Sequence, residues 1–210
     1  MVHPSSGKTT DNSRLMRVPL SGGPAELALE EPGIGGYKCA RLPSTMCIYS
    51  RIENGSQRFF IFDPAGGKVT ELPAAKRPSD DGPGSVWSLS PDGRYLASPL
   101  AAHPYEAASG LRVIDLATGK QREIPVPSVL LIMGMDWAPD SRSLWVGGHM
   151  GRSSGGTRSG IVRVDLTGHV TTVLEGSSMA VWFAIPSPDG RRLAVLAHTD
   201  NSNVSLLENF

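Results

Sequence analysis

Ser90-Pro91-Asp92-Gly93-Arg94-Tyr95-Leu96-Ala97 recurs twice further along the chain, as Ala138-Pro139-Asp140-Ser141-Arg142-Ser143-Leu144-Trp145 and as Ser187-Pro188-Asp189-Gly190-Arg191-Arg192-Leu193-Ala194. The prolines stand 48 and 49 residues apart. A further step of 48 back from Pro91 reaches Pro43, in Leu42-Pro43-Ser44-Thr45-Met46-Cys47-Ile48-Tyr49, a degenerate copy that keeps the proline and has Ile48 where the others have Leu. Four copies at one fixed period mean that the chain repeats a single supersecondary unit.

The unit reads from its turns outward. Proline presets φ at the first central position of a turn, aspartate bonds back to nearby backbone, and glycine accepts positive φ. Strand-like runs flank each turn: Val86-Trp87-Ser88-Leu89, Met135-Asp136-Trp137 and Trp182-Phe183-Ala184-Ile185 before it, Tyr95-Leu96-Ala97, Leu144-Trp145-Val146 and Leu193-Ala194-Val195-Leu196 after it. Further on an apolar run ends in aspartate and a glycine turn follows, with the glycine about 24 to 29 residues beyond each proline, at Asp63 with Gly67, Asp115 with Gly119 and Asp165 with Gly168. Another strand then begins. The unit is therefore four antiparallel strands, a to d, in about 48 residues, which is the content of one β-propeller blade.

The expected fold is all-β, a propeller of four-stranded antiparallel blades with about four blades visible. Residues 1–13 read as a disordered tail and 14–210 as the propeller, with a partial c–d blade at 14–30 and blades at about 37–73, 85–126, 132–175 and 181–210. The last of these has a, b and c strands only, its c strand falling in Asn203-Val204-Ser205-Leu206-Leu207-Glu208-Asn209-Phe210. Seventeen strands do not divide into whole blades. The ring is expected to be incomplete or open, the chain being the C-terminal portion of a larger propeller, with a four-bladed closure as the alternative. Open sheet edges would then be available for self-association.

Composition agrees. Gly 24 and Pro 17 among 210 residues argue against long helices, while 40% hydrophobic residues suffice for a core. Twenty basic and twenty acidic residues give zero formal charge, so nothing supplies the footprint of a nucleic-acid partner. No apolar run approaches the length of a spanning helix, so no membrane insertion is expected. The start, Met1-Val2-His3-Pro4-Ser5-Ser6-Gly7-Lys8, lacks a basic-then-apolar export pattern.

The repeated Ser/Ala-Pro-Asp-Gly/Ser-Arg-x-Leu block behind a Trp-bearing strand resembles the WD-like repeat of the TolB-type β-propeller family, over roughly Tyr37 to Phe210. The C-terminal part more narrowly resembles the propellers of bacterial proteins that carry an N-terminal winged-helix or Ser/Thr-kinase domain, neither of which is in this chain. The resemblance implies a non-enzymatic scaffold that binds a protein or peptide at the mouth of a central channel, in a bacterial regulator and often in the periplasm. It implies no catalytic residue and no cofactor.

Residues with chemistry to offer are few. A hydrolase elbow, Gly-x-Ser-x-Gly, is not matched by Gly176-Ser177-Ser178-Met179-Ala180. His3, His103, His149, His169 and His198 show no zinc-binding spacing. His103, His149 and His198 nevertheless fall in inferred b-to-c loops on one propeller face, with Tyr105, Arg152, Arg158 and Asp200. Such a set would bind a small molecule or metal in a lyase-like enzyme, or would be ordinary loop polarity. Gly147 to Gly160 is rich in glycine and reads as a flexible surface loop without the lysine and helix of a phosphate loop. The four tryptophans read as blade packing. Cys39 and Cys47 flank Pro43 symmetrically; they would form a cross-strand disulfide in an oxidising compartment or remain two buried thiols in a reducing one.

Overall fold

The computed structural model describes residues 12–66, 68–78, 86–100, 110–153, 156–176 and 180–198. Nearly all regular structure in them is antiparallel strand. A hairpin of β1 (Asn12–Arg17) and β2 (Glu26–Pro32) comes first. The first blade orders β3 (Gly36–Cys39), β4 (Cys47–Glu53), β5 (Ser56–Phe62) and β6 (Thr70–Glu71), with β7 (Arg77–Pro78) also on β5 after a single 3-10 turn at Pro73–Ala75. The second orders β8 (Ser88–Leu89), β9 (Tyr95–Pro99), β10 (Gly110–Asp115) and β11 (Gln121–Pro125). The third orders β12 (Leu131–Trp137), β13 (Ser143–Ser153), β14 (Gly156–Asp165) and β15 (Val170–Gly176). A half-blade of β16 (Ala180–Pro186) and β17 (Leu193–His198) ends the described chain. Among the described residues no helix is long and apolar enough to cross a membrane.

Seventeen strands are thus described, but not the expected set: β7 is additional, and the final c strand, at 203–210, lies outside the described residues.

The core follows from the strand period. Alternate residues of each blade face the blade before and the blade after, so apolar side chains collect in seams between blades. Leu15 and Leu29 of the hairpin pack on Cys47, Tyr49, Phe60 and Phe62. Phe59 and Trp87 meet edge to face at 5.4 Å between the first and second blades. Tyr95 stacks on Trp137 at 5.8 Å between the second and third. Trp145 and Ile161 pack against Val181 and Ala184 of the half-blade. Among the described residues no strand pairing joins the hairpin to the half-blade, and the ring is not closed.

The a-to-b turns share one construction, with one exception. Ser90 N–H donates to Tyr95 O, Ala138 to Ser143 and Ser187 to Arg192, each spanning five residues, whereas in the first blade Ala40 donates to Met46, spanning six. Counting from these bonds, Cys47 rather than Ile48 is the counterpart of Leu96 and Leu144. Pro43, which follows a cis Leu42–Pro43 peptide, does not occupy the position of Pro91. The extra residue displaces the first turn's proline. Left-handed glycines occur where turns require them: Gly93 and Gly190 after Pro-Asp, and Gly119 and Gly168 at the c-to-d turns. In the first c-to-d turn Gly66 has a φ of 102°, and Gly67 lies outside the described residues.

The segment read as a flexible loop is mostly sheet. Residues 147–153 and 156–160 prolong β13 and β14 into a long hairpin, paired from Gly147↔Ile161 to Ser153↔Gly156 with one register shift. Its inner glycines serve close packing: a Cβ on Gly147 would strike the Trp182 carbonyl, and one on Gly148 the Leu131 carbonyl. Glycine inside a strand marks such close backbone approach, which composition alone does not distinguish from flexibility.

Candidate functional site

The four a strands, β3, the segment at Val86–Leu89, β12 and β16, stand side by side around a central channel with a cavity of about 390 Å³. The turns define equivalent positions. Lys38, Ser88, Asp136 and Ile185 each lie two residues before the residue that opens its turn, and Gly36, Val86, Gly134 and Phe183 lie four before it. Two tiers of the wall follow from this frame. The Phe183 ring occupies the space over Gly134, where a Cβ would come within 2.6 Å of Cε1. Tyr37, Phe183 and Ile185 are 55%, 40% and 57% exposed, unusual values for large apolar side chains inside a fold.

Polar groups in the wall are placed by neighbouring blades. The Ser88 hydroxyl donates to Asp136 Oδ1 at 3.1 Å, the same oxygen accepts Trp137 N–H at 3.0 Å, and the Trp137 indole donates to Ser88 O at 3.2 Å. At one channel end the turns meet: Arg41 N–H donates to Pro91 O at 2.7 Å, Asp92 N–H to Ser141 Oγ at 3.1 Å, and the Arg41 guanidinium to Pro188 O at 3.5 Å. The last contact spans from the first blade to the half-blade.

The turn acids are structural. The Ser187 hydroxyl, then Arg191 N–H, hold the Asp189 carboxyl below its usual range, and Thr167 Oγ1 followed by His169 N–H do the same for Asp165. At Asp115 burial pushes upward, but Thr118 N–H and the Arg94 guanidinium outweigh it. Outside the channel, burial and then Glu31 push the Tyr49 hydroxyl up to about 12.

The histidine set expected in b-to-c loops is distributed differently. His149 lies on β13, paired with Ser159, because the glycine-rich stretch is strand; its Nδ1 is buried without a hydrogen-bond partner. His198 ends β17, with its ring 5.9 Å from that of Trp182. Arg152 is on the outer part of β13, opposite Thr157, and Arg158 pairs with Glu175. His103, Tyr105 and Asp200 lie outside the described residues. Among the described residues no three His, Cys, Asp or Glu side chains gather in a metal-binding group. Cys39 and Cys47 stand opposite each other on β3 and β4 and are joined by a disulfide, with Cα atoms 4.0 Å apart.

In the sequence Phe183 and Ile185 read only as strand residues. Their position relative to the turn was the available signal, since equivalent a-strand residues must face the same way.

No family model matches the chain, and no curated protein matches it. Solved structures do. A TolB from Agrobacterium tumefaciens superposes with a TM-score of 0.63 at 19% identity, over 90% of this chain and 64% of that one. A TolB from Acinetobacter baumannii gives 0.64 at 18% identity, over 90% and 44%. The fold is a TolB-like β-propeller. The propeller domain of Cps50 (Swd1) from Myceliophteria thermophila matches more loosely, at 0.50 and 15% identity over 78% of this chain and 48% of that one. The chain spans less than two thirds of either TolB structure.

Proposed function

We propose that this chain is a non-enzymatic propeller module that binds a protein or peptide at the mouth of its central channel, as the interaction part of a larger bacterial regulator. The carrying observation is the exposure of Tyr37, Phe183 and Ile185 around a cavity of about 390 Å³. Convergent apolar side chains beside a few fixed polar groups, here Asp136 and Lys38, are what a peptide side chain requires of a site. The TolB-like fold supports a binding role, and the Cys39–Cys47 disulfide suits an oxidising, extracytoplasmic compartment.

The test is selection of a displayed peptide library on the whole chain, followed by affinity measurement on Phe183→Asp and Ile185→Asp. Each substitution is expected to weaken selected peptides at least about tenfold, the scale of one anchor residue. Val173→Asp, at an exposed position on β15, should leave affinity unchanged. Peptides that bind all three variants equally would place recognition elsewhere and sink the proposal.

A further inference from the structure

Two charged side chains line the channel cavity, Lys38 and Asp136, and among the described residues neither makes an ion pair. Asp136 is half-buried. Its Oδ1 accepts two hydrogen bonds, from the Ser88 hydroxyl at 3.1 Å and from Trp137 N–H at 3.0 Å. Its Oδ2 has no partner among the described residues and is not sealed from solvent. The wall thus carries a carboxylate with one oxygen committed to the fold and the other left for a ligand. Lys38 stands on β3, two blades away with the Ser88 segment between, and leaves that oxygen unpaired.

We infer that Asp136 selects a lysine side chain in the bound peptide, a preference that rests on the channel being a peptide site. A half-buried carboxylate without a cation attracts one, and the attraction is screened less there than on the open surface. The surrounding wall decides which cation. Trp87, Met133 and Met135 line the same cavity; they offer apolar surface to a methylene stem, and the methionines can adjust to it. Arginine is the poorer match. Its planar fork reaches full strength by engaging both carboxylate oxygens, and both acceptor positions of Oδ1 are already filled. A lysine ammonium is a compact point charge that one oxygen can satisfy.

The neighbouring strand completes the pattern. Ile185 lies on β16 in the tier of Asp136, and Phe183 lies in the tier of Gly134, so an apolar residue adjoining the lysine has its place there. Asp136 is the only acid in the lining. One cation flanked by apolar residues is therefore the composition that the wall favours.

A bead-bound library of short peptides, acetylated at their N-termini so that only side chains supply a cation, tests this on the whole chain. Beads that bind the parent protein but not Phe183→Asp should be enriched in lysine over arginine. In a peptide so selected, norleucine in place of lysine should weaken binding about tenfold or more, as on removing one partner of a partly desolvated pair. Asp136→Asn keeps an oxygen for Ser88 and Trp137; it should cause the same loss with the lysine peptide and none with the norleucine peptide. Carbodiimide coupling of the lysine peptide to the parent protein gives a readout that needs no variant: an amide between the lysine amine and the Asp136 carboxylate, mapped by mass, is expected. Enrichment of arginine, a lysine effect that survives Asp136→Asn, or an amide formed at another acid overturns the lysine preference and leaves the channel as a peptide site. If no retained peptide is sensitive to Phe183→Asp, the peptide site itself falls, and the preference with it.

Discussion

The Trp137 indole N–H donates to the Ser88 carbonyl oxygen at 3.2 Å, binding the a strand of the third blade to that of the second across 49 residues of sequence, very nearly one repeat. The Ser88 hydroxyl returns a bond to Asp136. Adjacent blades are therefore joined by polar contacts at the channel wall as well as by the apolar seam behind it. Trp137 is 1% exposed and belongs to both.

Trp137→Phe should isolate the polar part. It keeps an aromatic ring against Tyr95 and removes the indole donor to the Ser88 carbonyl, a hydrogen bond worth about 0.5–1.5 kcal/mol. Trp137→Ala adds a cavity and should cost about 3–5 kcal/mol. Denaturant unfolding of the two variants measures both, and a Trp137→Phe variant as stable as the parent would mean that the hydrogen bond contributes nothing.

Gly147→Ala tests whether the half-blade is held by close backbone approach. The added methyl would meet the Trp182 backbone carbonyl and the side chain of buried Ile161 at less than 3 Å. A loss of about 1–3 kcal/mol is expected, the usual range for overpacking, with hydrogen exchange accelerating first at β16 and β17. Gly119→Ala makes a useful contrast, because no atom lies within 4 Å of its would-be Cβ and its cost comes from the positive φ alone.

These two glycines mark the limit of what was legible in the sequence. The Pro-Asp-Gly turns are specified by residues within the turn, so their spacing revealed strand order and blade length. Gly147 and Gly148 are specified by β16 and β12, through packing that no local pattern records, and a glycine kept for proximity has the same letter as one kept for flexibility. The channel wall was hidden for a related reason. Phe183 and Ile185 look like any apolar strand residues until the repeat frame shows that Lys38, Ser88 and Asp136 occupy the same tier. The first blade misled by one residue because its turn spans six residues, and only hydrogen bonding reveals that length.

Acid should loosen the first blade. Arg58 donates to both carboxylate oxygens of Glu71 and also pairs with Glu53, and those bonds hold the Glu71 carboxyl below its ordinary value of 4.5. A carboxylate whose folded pKa is depressed contributes stability that is present above the unfolded value and lost as pH falls through the folded one. Asp115, Asp165 and Asp189 act in the same direction. The melting temperature should therefore be flat near neutrality and fall below about pH 4.5. Arg58→Gln should lower the neutral plateau and make the acid fall shallower; an unchanged profile would show that the Arg58–Glu71 pair is not coupled to folding.

Reduction should act on the same blade. The Cys39–Cys47 bond closes the short segment that carries Arg41 to Pro91 and Pro188, so it restrains the turn linking the first blade to the second and to the half-blade. Closing a loop of that size restricts the unfolded chain by about 2–3 kcal/mol. Cys39→Ser/Cys47→Ser should lose about that much stability, and the unreduced chain, unfolded in denaturant, should show no titratable thiol. Because the constraint acts mainly on the unfolded state, the double variant should keep the channel geometry and its peptide affinity once folded. A large fall in affinity at temperatures well below its melting point would mean instead that the bond shapes the native turn cluster.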